Sequence, residues 1–124
     1  MSVTSADFQL HGRIENYREQ LTEILAELDR LVREVMEQVN REKLEGKGKV
    51  IYEPLPPRWT LAWRAKGGRY EANLMAFAHG GALVIHGRTG LDRPFRNFAS
   101  TLDRDRATIE EEVLAQLATD VPFR

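Results

Sequence analysis

The side chains best suited to chemistry lie between Arg58 and Arg88. Arg58, Arg64, Lys66, Arg69 and Arg88 carry positive charge, His79 and His86 are titratable, Trp59, Trp63, Tyr70 and Phe77 offer aromatic faces, and Glu71 is the sole acid. Cations that follow phosphates, interleaved with groups on which bases stack, make up a single-stranded nucleic-acid platform, where each stacked base contributes roughly 1–3 kcal/mol. Catalysis is not expected. There is no GxSxG, Walker loop or GxGxxG. Ser2, Ser5 and Ser100 stand in terminal or loop contexts with no base in reach, and Glu110, Glu111 and Glu112 fall in the first turns of a helix, where acids favour the macrodipole. His79 and His86 share a strand face but are separated by two cross-strand steps, on the order of 14 Å, without a carboxylate cluster between them. No metal site and no cofactor are therefore expected, and His11 has no foreseeable partner.

Composition narrows the setting. The chain has 124 residues, 42% hydrophobic and 30% charged, and no cysteine. That is the size and make-up of one globular domain, without disulfides or thiol chemistry, and it suits a reducing compartment. No secretion signal opens the sequence and no run of 18 apolar residues interrupts it, so a cytoplasmic protein outside the membrane is expected. The net charge of −1 conceals a segregation: residues 1–45 carry six basic and ten acidic side chains, residues 46–100 nine and three, residues 101–124 three and six. A basic centre of +6 between acidic ends calls for an anionic partner, or for acidic helices laid against a basic sheet.

Three segments must position these residues. In the first, residues 1–46, Leu10, Ile14, Tyr17, Leu21, Ile24, Leu28, Leu31 and Val35 recur at alternating spacings of four and three. This heptad seam predicts a helix from about Gly12 to Glu45, stopped by Gly46 and on the order of 50 Å long. Such a helix overhangs any sheet the chain can build. Leu21, Ile24, Leu28, Leu31 and Val35 are therefore the expected contacts of a homodimer, while Leu25, Val32 and Val39 widen the stripe toward a core.

The second segment, residues 47–90, predicts an antiparallel meander of four strands. Val50–Glu53 is β-prone and ends at Pro54-Leu55-Pro56-Pro57, and Gly67-Gly68 and Gly80-Gly81 supply two hairpin turns. With those glycines central, Trp63 pairs with Ala72, Leu61 with Leu74, Phe77 with Val84 and Met75 with His86. One face then collects Trp59, Leu61, Trp63, Tyr70, Ala72, Leu74, Ala76, Ala78, Leu83 and Ile85, which read as core. The other collects Arg58, Arg64, Lys66, Arg69, Met75, Phe77, His79, His86 and Arg88, the candidate nucleic-acid-binding set, around an apolar island of Met75, Phe77 and Val84.

In the last segment, residues 91–124, Thr89–Ser100 reads as a turn with Asp92 and Pro94 opening a short helix that carries Phe95 and Phe98. A C-terminal helix follows from about Thr101, with a stripe of Leu102, Ile109, Val113, Leu117 and Val121; if it starts late, Thr108 and Glu111 offer a capping box, and Pro122 is a stop. The expected fold is α+β, with both helices on one sheet face. The expected function is non-catalytic and sequence-tolerant binding of single-stranded DNA or RNA by a homodimer. The alternative is a protein-interaction module, a small regulator, adaptor or inhibitor, working through the helix seam or the open sheet face.

Overall fold

The computed structural model describes the backbone of residues 5–119 and the side chains of residues 18–119. Helix α1 runs Ser5–Lys43 and is followed by β1 (Lys49–Pro54), β2 (Pro57–Ala65), β3 (Gly68–His79), β4 (Ala82–Gly87), β5 (Asp92–Phe95) and α2 (Leu102–Leu117). The five strands form one antiparallel meander in sequence order, and the α+β architecture matches the expectation apart from the additional strand.

At 39 residues, α1 is about 58 Å long at 1.5 Å per residue, and it starts earlier than Gly12. It ends where Glu45 and Gly46 turn to positive φ (54° and 78°) and the Gly46 N–H donates back to the Asn40 carbonyl at 2.9 Å. This glycine stop closes the helix C-terminus as its position foretells. The Asn40 side chain clamps the exit, accepting from Gly48 N–H at 2.7 Å and donating to Gly48 O at 3.0 Å.

The core is continuous. Leu28, Val32, Val35, Met36 and Val39 of α1 and Ile109 and Val113 of α2 meet Trp59, Leu61, Ala72, Leu74, Ala76, Leu83 and Ile85 of the sheet. Trp59 is fully buried, and its indole N–H donates to Asp29 Oδ1 at 2.8 Å, so its one polar atom is satisfied inside the core. Asp29 also accepts from Arg33 at 2.7 Å, and the Arg33 guanidinium lies over the Tyr52 ring, 5.3 Å from its centre. Trp63 and Tyr70, expected in the core, are only half-buried and stack on each other at 5.6 Å and 12°. Ala78 is exposed, near the β3–β4 turn.

The heptad seam is spent largely within the subunit. Leu28, Leu31 and Val35 are buried in this core, and Leu21 and Ile24 pack against it. A seam that covers a sheet and a seam that pairs with a second helix share the same periodicity, so the sequence does not separate them. Leu10, Ile14 and Tyr17 fall outside the described side chains.

The two hairpins differ in how far the glycines predict them. The second has the expected register, with Phe77 opposite Val84 and Met75 opposite His86. The first is shifted by two: Trp63 pairs with Tyr70, Leu61 with Ala72 and Trp59 with Leu74, because Lys66 and Gly67, both at positive φ (51° and 76°), form the turn and Gly68 enters β3. A lysine in the left-handed region costs about 1–2 kcal/mol. The shift brings Trp63 and Tyr70 face to face, and an aromatic pair contributes about 0.5–1.5 kcal/mol beyond its buried area. Because the shift is even, no side chain changes face.

Residues 92–95 are a strand, not the start of a short helix. Phe95, opposite Leu83, is fully buried, whereas Pro94, opposite Val84, occupies an edge strand where a missing N–H is tolerated. Helix α2 then begins after Thr101, and Thr108, expected as a late cap, sits within it with its hydroxyl donating to Arg104 O at 2.7 Å. Ile109 and Val113 supply the buried stripe, with Leu102 and Leu117 partly buried beside it. Val121 and Pro122 lie outside the described residues. No helix among the described residues is long and apolar enough to cross a membrane.

Candidate nucleic-acid interface

The register assigns every residue of the sheet face turned away from the core. At the β2–β3 tip Arg64 pairs with Arg69; next come Lys49, Ala62 and Glu71, then Ile51, Thr60 and Asn73. A row of Glu53, Arg58, Met75, His86 and Asp92 crosses all five strands, followed by Phe77, Val84 and Pro94, and then His79 and Ala82. The face is therefore graded along β3, basic at one end, mixed in the middle and apolar at the other. From Arg69 to Phe77 is eight residues, about 26 Å of strand.

Of the nine candidate residues, Arg64, Arg69, Phe77, His79, His86 and Arg88 are exposed, and Arg58 and Met75 are half-buried. Phe77 has 42% of its surface accessible. Lys66 is exposed in the turn itself, not on the strand face where the expected register placed it.

Several of the cations are already engaged. Glu71 is buried on this face with Arg69 Nη2 3.2 Å and Arg58 Nη2 3.9 Å from its carboxylate oxygens. Arg58 also donates to Asn73 Oδ1 at 3.2 Å, and the Thr60 hydroxyl donates to the same oxygen at 2.8 Å. This network fixes the two guanidinium groups while leaving much of Arg69 in solvent. His86 Nδ1 lies 3.9 Å from Asp92 Oδ1. His79 and His86 share the face, and among the described residues no three His, Asp or Glu side chains converge as metal ligands would.

Arg88, exposed just past β4, also makes a contact within the fold. β4 ends at Gly87, opposite Leu74, so the first half of β3 has no strand on that side. Its exposed ladder is closed by side chains: Arg88 donates to Glu71 O at 2.9 Å, Asn73 N–H donates to Gln116 Oε1 at 2.7 Å, and Gln116 Nε2 donates to Asn73 O at 2.8 Å. The carboxamide of Gln116 thus pairs with β3 as another strand would. One turn earlier in α2, Glu112 accepts from Leu91 N–H at 3.0 Å, Thr89 N–H at 3.1 Å and Gln116 Nε2 at 2.6 Å. Burial pushes the Glu112 pKa up, but hydrogen bonds from Thr89, Gln116 and Leu91 outweigh it and hold the carboxyl below its ordinary value. Glycine at position 87 leaves room for this carboxylate: a Cβ there would lie 2.4 Å from Glu112 Cδ and would force the Glu112 side chain to shift.

The candidate set omitted residues that share the face. Alternation through β5 turns Asp92 and Pro94 outward and Arg93 and Phe95 inward, and Arg96, just past the strand, is exposed. Phe98 follows with 54% of its surface accessible. The period-two pattern of residues 92–95 is the available signal, and Pro94 obscures it.

No protein-family model, curated protein or solved structure is significantly similar to this chain.

Proposed function

We propose that the protein is a non-catalytic, cytoplasmic binder of single-stranded nucleic acid, with the outer sheet face as its platform. The observation that carries this reading is the gradient on one uncovered face: Arg64 and Arg69 crowd one end, with Lys66 in the adjoining turn, and Phe77, Val84 and Pro94 form an apolar row at the other. A flexible strand lies along such a face with phosphates over the arginines and a base on Phe77. A rigid duplex offers no unstacked base to Phe77, so single strands bind more tightly than duplex of equal length.

Glu71 sets a sign that a generic charged surface would not. Its carboxylate competes with phosphate for Arg58 and Arg69, so Glu71→Gln, which keeps the shape and one acceptor, strengthens binding of a labelled oligonucleotide by about 3- to 10-fold at low salt. Fluorescence anisotropy with the purified protein tests this. Unchanged or weaker binding by Glu71→Gln would place the ligand elsewhere, and absence of binding by the unaltered protein would end the proposal.

We also propose a homodimer. Leu28, Leu31 and Val35 are committed to the subunit core, so the contacts left to a second copy are the outer parts of Leu21 and Ile24 and the helix before them. Light scattering at twice the 14.2 kDa chain mass is the expected result; the mass of one chain would exclude it. The competing reading, a protein partner on the same apolar row, predicts a complex that survives both nuclease and high salt.

A further inference from the structure

We infer that the platform continues past β5 to a second base-stacking position on Phe98, with Arg96 and Arg104 holding the adjoining phosphate of the same strand. This inference rests on the single-strand reading proposed above.

Phe98 is exposed, but it stands on a built turn. Its carbonyl accepts from Thr101 N–H at 2.9 Å and from the Thr101 hydroxyl at 3.1 Å, and that hydroxyl also lies 3.2 Å from Asp105 Oδ2 on α2. The same turn leads directly into α2, since Asp105 N–H donates to Thr101 O at 2.8 Å. An exposed aromatic residue whose backbone is tied to its own turn through its carbonyl has less backbone entropy to lose on contact than one on a loose tail.

A cleft of about 230 Å³ lies beside it, lined by Arg93, Pro94, Arg96, Phe98, Thr101, Arg104 and Asp105. Its charge balance is readable. Asp105 is buried and lies 3.6 Å from Arg93 Nη2, while Arg93 Nη1 donates to the Thr108 hydroxyl at 3.3 Å. These two charges offset each other within the fold. Arg96 and Arg104 are both exposed at the rim and leave the cleft with positive charge. Asp103, exposed in the first turn of α2 and adjacent to Arg104, does not line the cleft.

Continuity decides what fills it. Pro94 belongs both to this cleft and to the row of Phe77 and Val84, so the apolar row across β3, β4 and β5 leads to the cleft that Phe98 lines. A single strand with one base on Phe77 extends its next nucleotides along this path, phosphate toward Arg96 and Arg104, base toward Phe98.

The experiment uses the full chain and two labelled thymidine oligonucleotides, one of about four nucleotides and one of about twelve, within the range of known single-strand site sizes. Phe98→Ala should weaken the long strand by about 5- to 150-fold and leave the short strand within about twofold, since loss of one stacked base is the only change. Phe98→Trp should restore the long-strand affinity. Equal effects of Phe98→Ala on both lengths, or none on either while Phe77→Ala weakens both, would overturn the second position and leave the platform standing. If the unaltered protein binds neither strand, both proposals fall. A salt-resistant protein complex lost in Phe98→Ala, with long-strand affinity intact, would assign the patch to a protein partner and overturn the inference.

Discussion

Replacing Glu112 with alanine lowers the unfolding free energy by about 3 kcal/mol, read as a fall in the urea midpoint without a change in slope. The size follows from what the carboxylate holds. It accepts from the main-chain N–H groups of Thr89 and Leu91 and from Gln116 Nε2, and it is 4% exposed. A buried donor left unpaired costs about 1–3 kcal/mol. Three donors lose a partner, and the open cleft beside the β4–β5 turn, lined by Thr89, Leu91 and Glu112 among others, lets water recover part of that loss. The damage also reaches the β3 edge, because the Gln116 carboxamide that pairs with Asn73 is oriented by Glu112.

The same group gives a pH signature. Its folded pKa is depressed, so the ionised carboxylate contributes stability that is fully present above the unfolded value, about 4.3, and is lost as pH falls through the lower folded value. Glu112→Gln removes the titration and keeps one acceptor. The stability gap between the two proteins should be constant from neutral pH to about pH 5 and close below it. A gap that widens in acid would show that Glu112 is not held ionised by these bonds.

Changing Phe77 and Arg64 together to alanine weakens single-strand binding by on the order of 100-fold, with each single variant near tenfold. In the proposed complex Phe77 would stack on a base and Arg64 would contact a phosphate at the opposite end of the face. Arg64 pairs with Arg69, which stands about 26 Å along β3 from Phe77, far enough for the two losses to add. Both side chains are exposed, and neither belongs to the core, so the melting temperature should hardly move. Wild-type affinity in either single variant would remove that end of the face from the interface.

The parts of this fold that sequence reveals are those governed by local periodicity. The α1 stripe and the strand alternation place Trp59 and Leu61 inside and Arg64 and Phe77 outside, and face assignment survives the register error in the first hairpin because that error is even. The turn itself is misread because Gly68 looks as suitable as Lys66 until the Trp63–Tyr70 stack is considered. β5 is hidden because Pro94 and Asp92 are the usual signs of a turn, yet an edge strand accepts both. The electrostatics of the candidate site are harder still. That Glu71 ties up Arg58 and Arg69 depends on where three long side chains meet, and that Arg88 and Gln116 close the β3 edge depends on β4 being shorter than β3. Neither follows from spacing along the chain.

The central claim is that the cations of the outer face hold phosphates, and a salt titration of oligonucleotide affinity tests it most directly. With Arg58, Arg64, Lys66 and Arg69 each releasing a counterion, the logarithm of the association constant should fall against the logarithm of salt concentration with a slope of about −3. A slope near zero, or no binding at low salt, would contradict it.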